Sequence, residues 1–291
     1  MSAIHIGAKF PNNETGATPQ ALKEFAQGIE RLGFDHLSID DHVSIAAPEQ
    51  FGTDRAAAIR VRARHEVLTG LAFLAGATTT LKLRTGVLIL PQRQTVLVAR
   101  QAAEVDLLSD GRLTMGVGIG WNRLEFDALG ETFGTRGRRF ESQIQILRQL
   151  WTEDYVTHSD DWHRLERTGI LPRPARPIPL WIGAKAGVAI QRAARLADGF
   201  MSLGQIGQGA EEEVETYRAE RDRLGLGDRP MQLEGWIDLG SGAESEWLEQ
   251  ANAWRALGAT HLTLVSPPVP IQPVTAHLET LQRAREAIGT L

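Results

Sequence analysis

Short apolar runs and amphipathic runs alternate along almost the whole chain. Runs such as Leu83–Leu90 are dense in Leu, Val and Ile and are typical of buried strands. Phe140, Ile144, Leu147 and Leu150 recur at the spacing of one helix face, which predicts a long helix at this point. The pattern predicts eight strands, each followed by a helix: Ile4–Phe10, His36–Ile39, Leu83–Leu90, Leu113–Ile119, Leu180–Gly183, Gly199–Leu203, Gln232–Leu239 and His261–Val265.

This alternation predicts an α/β fold of the (β/α)8 TIM-barrel type, with residues 1–291 forming a single domain. Two stretches interrupt the alternation. Val43–Arg64 has no clear period, so we expect a long loop after the second strand with about one helical turn. Thr152–Pro179 ends in a dense group of prolines, and this density predicts an irregular excursion before the fifth strand.

Two of the candidate sites follow from the barrel, because function in this fold lies at the carboxyl ends of the strands. Asp41 and His42 follow the second strand, and a carboxylate beside an imidazole can bind a metal or move a proton. An Asp that caps the next segment beside a surface His is the more common arrangement. Inside the third strand, Gly86 indicates a β-bulge or a close approach of backbone.

The other two candidates are glycine-containing turns. Gly118–Asn122 (GIGWN) offers bare backbone to a ligand, but its spacing is not that of a dinucleotide-binding fingerprint. Trp121 in this turn is either a pocket wall or a packing residue. Gly183–Gly187 (GAKAG) enters a helix, and its backbone N–H groups, with the charge of Lys185, suit a phosphate. An ordinary turn with an exposed lysine fits the same residues.

Composition narrows the class of protein. The chain lacks cysteine, which excludes disulfides and thiolate chemistry, and its net charge of −5 argues against nucleic acid as a partner. We see neither a basic and apolar leader nor an apolar run of membrane length, so we expect a cytoplasmic protein without a membrane span. His158, Asp160 and His163 are compatible with a metal site, but a solvated loop is more common, and we expect no metal.

The stretch around the fourth strand carries a more specific signal. The run LLSDGRLTMGVGIGW, followed by EFDALGETFGTRGRRFE and ILRQLW, resembles the luciferase-like monooxygenase superfamily, and within it the coenzyme F420-dependent oxidoreductases. The resemblance covers nearly the whole chain and is most specific at Arg84–Trp151 and Pro179–Gly183. It implies the barrel fold and hydride transfer between the deazaflavin F420 and a small organic substrate.

The resemblance also implies roles for individual residues. F420-dependent relatives often have an Asp-His pair where Asp41 and His42 stand, with the Asp near the deazaflavin and the His near its reactive carbon. A cis peptide is implied at Gly86–Val87, and many relatives have Gly-Gly in the phosphate loop where this chain has Gly183–Ala184. Relatives that oxidise a sugar phosphate carry a Glu where Trp121 stands, which argues against that substrate here. The residues and the resemblance together assign catalysis to His42, cofactor binding to Asp41, Gly86, Val87, Leu88, Gly118, Gly120, Asn122, Gly183, Ala184 and Lys185, and the substrate pocket to Trp121, Arg60 and Gln205. Arg60, with Arg62 and Arg64, can reach an anionic substrate or the cofactor tail, and a solvent-exposed helix face fits the same residues.

Two alternative functions stay open. One is an FMN-dependent monooxygenase on the same barrel, which needs oxygen and a flavin reductase partner. The other is a non-catalytic protein that stores or carries F420. The relatives are commonly dimers through the helices around Glu66–Thr79 and Thr95–Leu108, so the resemblance implies a homodimer. The faces of these two helices are rich in Ala and Leu in this chain.

Overall fold

A computed structural model describes residues 3–12, 18–44, 47–51, 64–240, 243–267 and 273–289. In chain order, the elements are β1 His5–Lys9, α1 Pro19–Arg31, β2 His36–Ile39, α2 Val67–Ala75, β3 Lys82–Ile89, α3 Thr95–Leu108, β4 Leu113–Gly118, α4 Arg123–Ala128, α5 Arg136–Thr152, β5 Val156–Ser159, β6 Arg164–Thr168, β7 Leu180–Ala184, α6 Gly187–Leu196, β8 Gly199–Ser202, α7 Ala210–Arg223, β9 Leu233–Asp238, α8 Glu244–Ala256, β10 His261–Val265 and α9 Val274–Ile288. A short 3-10 helix spans Pro48–Phe51.

Eight of the strands close into a parallel barrel in the order β1-β10-β9-β8-β7-β4-β3-β2. The closure is made where β1 pairs with β10, with His5 opposite His261 and Ala8 opposite Leu264. The predicted TIM barrel is therefore confirmed. All eight carboxyl ends lie on one face of the barrel, which is where this fold places its binding loops.

The helix boundaries follow from local chemistry. At the start of α1, the hydroxyl of Thr18 accepts a hydrogen bond from the Ala21 N–H at 3.1 Å, and Pro19 occupies the first turn. The predicted long helix after β4 is divided into α4 and α5, and the apolar face of α5 contains the predicted residues Phe140 and Ile144, which are both buried.

The prediction that Thr152–Pro179 is irregular is wrong for its first half. Val156–Ser159 and Arg164–Thr168 form an antiparallel hairpin, β5–β6, which packs against α5. The physical reason is the position of the prolines: all of them lie at or beyond Pro172, so the backbone N–H groups that a hairpin needs are present before that residue. Proline excludes regular structure only from there to β7.

A buried ionic network fills the part of the barrel that is nearer the amino ends of the strands. Glu234 on β9 forms an ion pair with Arg84 at 2.8 Å and a second with His36 at 3.2 Å. Burial alone would raise the pKa of Glu234, but Arg84 and His36 lower it below its usual range. Burial lowers the pKa of His36, and the nearby Arg84 adds to that effect. A cavity of about 910 Å³ opens at the amino ends of the strands, where His36, Arg84 and Trp181 are part of its lining.

None of the helices described by the structure combines the length and apolar character needed to cross a membrane.

Candidate active site

Large apolar side chains are exposed around the carboxyl-end face of the barrel. Val43 follows β2, Trp121 follows β4, Val188 begins α6 after β7, and Leu203 follows β8. Their exposed fractions are 41%, 46%, 70% and 44%, respectively. An exposed apolar rim at the end of a barrel that carries binding loops is the arrangement expected of a ligand site.

A cavity of about 200 Å³ lies inside the barrel beneath this rim, lined by residues of β1, β3, β8, β9 and β10 and by Leu203. Its lining combines Gly86, Met201 and Leu203 with the polar groups Lys9 and Glu234. Drug-sized ligands occupy about 300–1,000 Å³, so this cavity has room for a ring-sized fragment while the rest of a ligand lies on the rim. Glu234 joins the cavity to the ionic network below it.

The wall of the cavity on β3 is irregular. The pairing of β3 with β4 shifts register between Thr85 and Leu88, and the Gly86–Val87 peptide is cis. The prediction of a bulge with a cis peptide at this position is confirmed. Gly86 has no space for a side chain, because a Cβ there would lie 2.0 Å from the hydroxyl oxygen of Ser38.

The bulge directs the side chain of Val87 across two neighbouring strands. A Cβ at Gly118 on β4 would lie 2.8 Å from one Val87 methyl group, and a Cβ at Gly183 on β7 would lie 2.6 Å from the other. These two glycines, assigned from the resemblance to cofactor binding, thus make room for Val87. We refer to Val87, Gly118 and Gly183 as the Val87 seat.

His42 is held by a buried carboxylate. Its Nδ1 lies 2.9 Å from Oε1 of Glu125, which is fully buried on α4, and the second oxygen of Glu125 accepts from Gln92 at 3.3 Å. The imidazole packs edge-on to Trp121, with ring centroids 6.0 Å apart. An ionised Glu125 only accepts hydrogen bonds, so it fixes the proton on Nδ1 and leaves Nε2 as the nitrogen that can exchange a proton.

Asp41, next to it, bridges two elements. One carboxylate oxygen accepts from the Ile89 N–H at 3.0 Å, and the other accepts from Arg93 at 2.8 Å. Arg93 also pairs with Glu66 at 2.8 Å. Burial raises the pKa of the Asp41 carboxyl, and Arg93 opposes this effect. Asp41 thus joins the ends of β2 and β3, directly beside His42.

The remaining predicted residues, on β3 and in the turn after β4, have mainly structural surroundings. Leu88 is fully buried in the apolar core. Gly120 has φ +74°, and a Cβ there would lie 2.6 Å from Ile89. Asn122 caps α4 by accepting from the Leu124 N–H at 3.2 Å, and its buried Nδ2 has no hydrogen-bond partner among the residues that the structure describes. Of these three, Asn122 has a donor that remains for a ligand.

The predicted phosphate loop is divided between a strand and a turn. Ala184 is the buried last residue of β7, whereas Lys185 is exposed in the turn before α6. The first turn of α6 has no side-chain cap. Gln205 is half-buried in the loop after β8, on the same face of the barrel. Arg60, assigned to the substrate pocket, lies outside the described residues.

Sequence reasoning missed Glu125, which holds the predicted catalytic residue His42, and Arg93, which holds the predicted cofactor-binding residue Asp41. Asn122 and Glu125 have the spacing of a helix N-cap and its third residue, so a signal was present. That motif predicts a Glu that bonds back to its own helix, whereas the structure directs Glu125 to His42.

Comparisons with known proteins identify the family of the chain. A family model described as luciferase-like monooxygenase matches residues 3–232. The F420-dependent glucose-6-phosphate dehydrogenase of Intrasporangium calvum is 30% identical over an alignment of 306 positions, which covers 99% of this chain and 85% of that protein. The FMNH(2)-dependent dimethylsulfone monooxygenase of Pseudomonas fluorescens is 32% identical over 201 residues, which cover 68% of this chain and 52% of that protein.

The fold also matches solved structures. An F420-dependent secondary alcohol dehydrogenase, in complex with an F420–acetone adduct, superimposes with a TM-score of 0.79 at 16% identity, over 99% of this chain and 100% of that one. At this identity the match concerns the fold alone. The family-model match over residues 3–232, which is more than half of the chain, shows that the chain belongs to the luciferase-like monooxygenase family.

Proposed function

We propose that the protein is an F420-dependent oxidoreductase that transfers a hydride between the deazaflavin and a small organic substrate. The observation that carries the proposal is the pair of His42 and the buried Glu125 at the barrel end that carries binding loops. Support for F420 comes from the relative of Intrasporangium calvum, whose alignment spans 99% of this chain.

The residues present fit such a cofactor. The cavity beside Gly86 has room for part of a ring system, and the apolar rim suits its faces. The orphaned Nδ2 of Asn122 is a hydrogen-bond donor at the same face. Lys185, at the uncapped start of α6, would hold the phosphate of the cofactor tail.

The chain has a defined part in the reaction. When bound, F420 supplies or accepts the hydride. His42 would give or take a proton at Nε2, with Glu125 holding the imidazole in the required tautomer. Trp121 and Leu203 would exclude water from the reacting atoms, since both are large apolar side chains at the rim.

The second candidate is a monooxygenase that uses reduced FMN, favoured by the 32% identity to the dimethylsulfone monooxygenase of Pseudomonas fluorescens. A non-catalytic carrier is the third. A carrier has no need of an imidazole that a buried carboxylate keeps ready for proton exchange, so the pair of His42 and Glu125 disfavours it.

A fluorescence titration with F420 and with FMN, at low and at high salt, tests the proposal. We expect tighter binding of F420 at both salt concentrations. Lys185→Ala should weaken F420 binding by roughly 10- to 100-fold, because a charge-assisted hydrogen bond to phosphate contributes about 1.5–3 kcal/mol. Lys23→Ala, which removes an exposed lysine from α1, is the matched control and should bind normally. A preference for FMN under both conditions would replace this proposal with the monooxygenase.

We also propose that the protein is a homodimer through α2 and α3, which pack side by side. Both helices expose large apolar side chains: Phe73 on α2 is 44% exposed, and Leu97 and Leu108 on α3 are 52% and 56% exposed. Apolar side chains grouped on neighbouring helices are typical of an interface with another protein.

A further inference from the structure

Four polar side chains converge where the β5–β6 hairpin meets α5. His158 is on β5, Asp160 and His163 are in the hairpin turn, and Ser142 is on α5. The Nε2 atom of His158 lies 3.0 Å from Oδ2 of Asp160, and Nδ1 of His163 lies 3.1 Å from the same oxygen. The hydroxyl of Ser142 lies 3.4 Å from His158 Nε2 and 3.2 Å from His163 Nδ1, and it donates to Asp160.

The separations between the imidazole nitrogens and Asp160 are a few tenths of an ångström shorter than the ligand spacing of a tetrahedral metal site. Zinc binds His nitrogen and carboxylate oxygen at about 2.0–2.2 Å, which places neighbouring ligand atoms roughly 3.3–3.6 Å apart around a tetrahedron. Ligand atoms of His158, Asp160 and His163 all lie within 4.8 Å of one another. Outward movement of the two imidazoles by a few tenths of an ångström would bring them into this range, and the Ser142 hydroxyl would move further from Asp160.

Neighbouring groups contact the remaining polar atoms of His163 and Asp160 and so hold the two side chains in position. The other ring nitrogen of His163, Nε2, lies 2.6 Å from the hydroxyl of Thr95, which accepts from Gln143 at 3.1 Å. The second oxygen of Asp160 accepts from the backbone N–H groups of Trp162 at 2.8 Å and His163 at 2.7 Å. Metal-binding imidazoles and carboxylates usually have such partners on their remaining atoms.

We propose that this cluster binds one divalent transition-metal ion, with zinc as the best fit. The ligands are His158 Nε2, His163 Nδ1 and Asp160 Oδ2, and either the Ser142 hydroxyl or a water completes the tetrahedron. Two imidazoles and one carboxylate suit zinc better than magnesium or calcium, which take oxygen ligands. For binding, the proton of each imidazole moves to its other ring nitrogen, which in His163 then donates to Thr95.

The ion has a structural role in this position. Its ligands come from the hairpin, and Ser142 and Thr95 join it to α5 and α3. Binding would therefore fasten the hairpin to the outside of the barrel, and it does not depend on the function proposed above.

The test uses protein without a histidine tag, stripped with a chelator and titrated with zinc against a chromophoric competitor. We expect one equivalent to bind. His158→Gln removes a ligand and should lower zinc affinity by more than about 100-fold, whereas Thr95→Ala removes an outer partner and should lower it by roughly 10- to 100-fold. Asp161→Asn, a neighbouring carboxylate whose side chain is 72% exposed, is the matched control and should bind as the wild type does.

Cobalt(II) gives a second measurement on unaltered protein, which removes any doubt about the folding of the variants. Intense visible absorption of a tetrahedral cobalt complex, displaced by one equivalent of zinc, is the expected result. Two outcomes would overturn the proposal: no stoichiometric uptake of either metal by the wild type, or uptake that is the same in His158→Gln, folded by circular dichroism, as in the wild type.

Discussion

At the scale of single residues, the chemistry of the candidate site depends on what lies behind His42. An imidazole at a strand end can rotate and exchange tautomers unless another group holds it. Glu125 holds it here from a fully buried position, and Gln92 binds the other oxygen of that carboxylate. Glu125 is therefore a positioning residue, and His42 is the residue expected to meet the substrate.

A double-mutant cycle separates these two roles. His42→Ala should lower turnover by about 100-fold or more, the usual effect of losing a positioned acid or base. Glu125→Gln should lower turnover by a smaller factor and leave the dissociation constant for the cofactor unchanged. The double variant should be no slower than His42→Ala alone, because residues that act as a unit are not additive.

Asp127→Asn, an exposed carboxylate on the same helix, is the control for the cycle and should keep full turnover. Additive losses in the double variant would show that Glu125 acts independently of His42.

Sequence alone could identify His42 as a candidate but not its partner. His42 follows directly from a strand end, which local pattern defines. Glu125 is 83 residues away along the chain, and only the closed barrel brings the two together. Arg93 was not assigned to the site for the same reason, since its contact with Asp41 joins two different strand ends.

At the scale of elements, the end of α1 is fastened to the loop before β3 by one carboxylate. Oε1 of Glu30 accepts from the backbone N–H groups of Thr79, Thr80 and Leu81 at 2.8, 2.6 and 3.0 Å. Burial works to raise the pKa of Glu30, but the hydrogen bonds from Thr80 and Leu81 outweigh it and lower the pKa from 4.5 to about 2.

This shift predicts a defined pH dependence of stability. Because the pKa of Glu30 is lower in the folded protein than in the unfolded chain, its contribution is present above pH 4.5 and is lost as the pH falls towards about 2. Glu30→Gln should lower the free energy of unfolding by about 1–2 kcal/mol at pH 7, after allowance for solvent screening. The difference from the wild type should shrink in acid.

Urea unfolding of both proteins at pH 7 and pH 3 measures this difference, and Glu24→Gln, on the same helix, is the charge-matched control. A deficit in Glu30→Gln that is equal at the two pH values would contradict the account given for this carboxylate.

The elements themselves were largely predictable, because apolar runs and helix caps are local features. The hairpin β5–β6 was missed because the density of prolines beyond it predicted irregular structure for the whole segment. The division between α4 and α5 was also missed. It comes at Gly130, which has φ +71° and takes the chain out of the helical path.

At the scale of the whole molecule, the closed barrel leaves α2 and α3 with apolar side chains in solvent. If this face is the proposed dimer interface, Phe73→Glu and Leu97→Glu should each convert the protein to a monomer, because a buried unpaired charge costs several kcal/mol. Analytical ultracentrifugation measures the change. Leu248→Glu, at a residue that is 37% exposed on α8, is the control and should leave the mass of the assembly unaltered.

A wild-type protein that sediments as a monomer at all concentrations would refute the dimer.

The fold at this scale was predictable from the alternation of strands and helices. A dimer face is not predictable from pattern, since an apolar residue on a helix gives the same signal whether it contacts the core or a partner.

The Val87 seat has a consequence for how this barrel can diverge. Val87, Gly118 and Gly183 are on three different strands, yet the two methyl groups of Val87 occupy the volume that side chains at both glycines would need. A lineage that acquires alanine at either glycine must first, or at the same time, lose volume at position 87. The three positions should therefore covary among descendants of this sequence, and a valine here should restrict mutational drift on two strands that are distant along the chain.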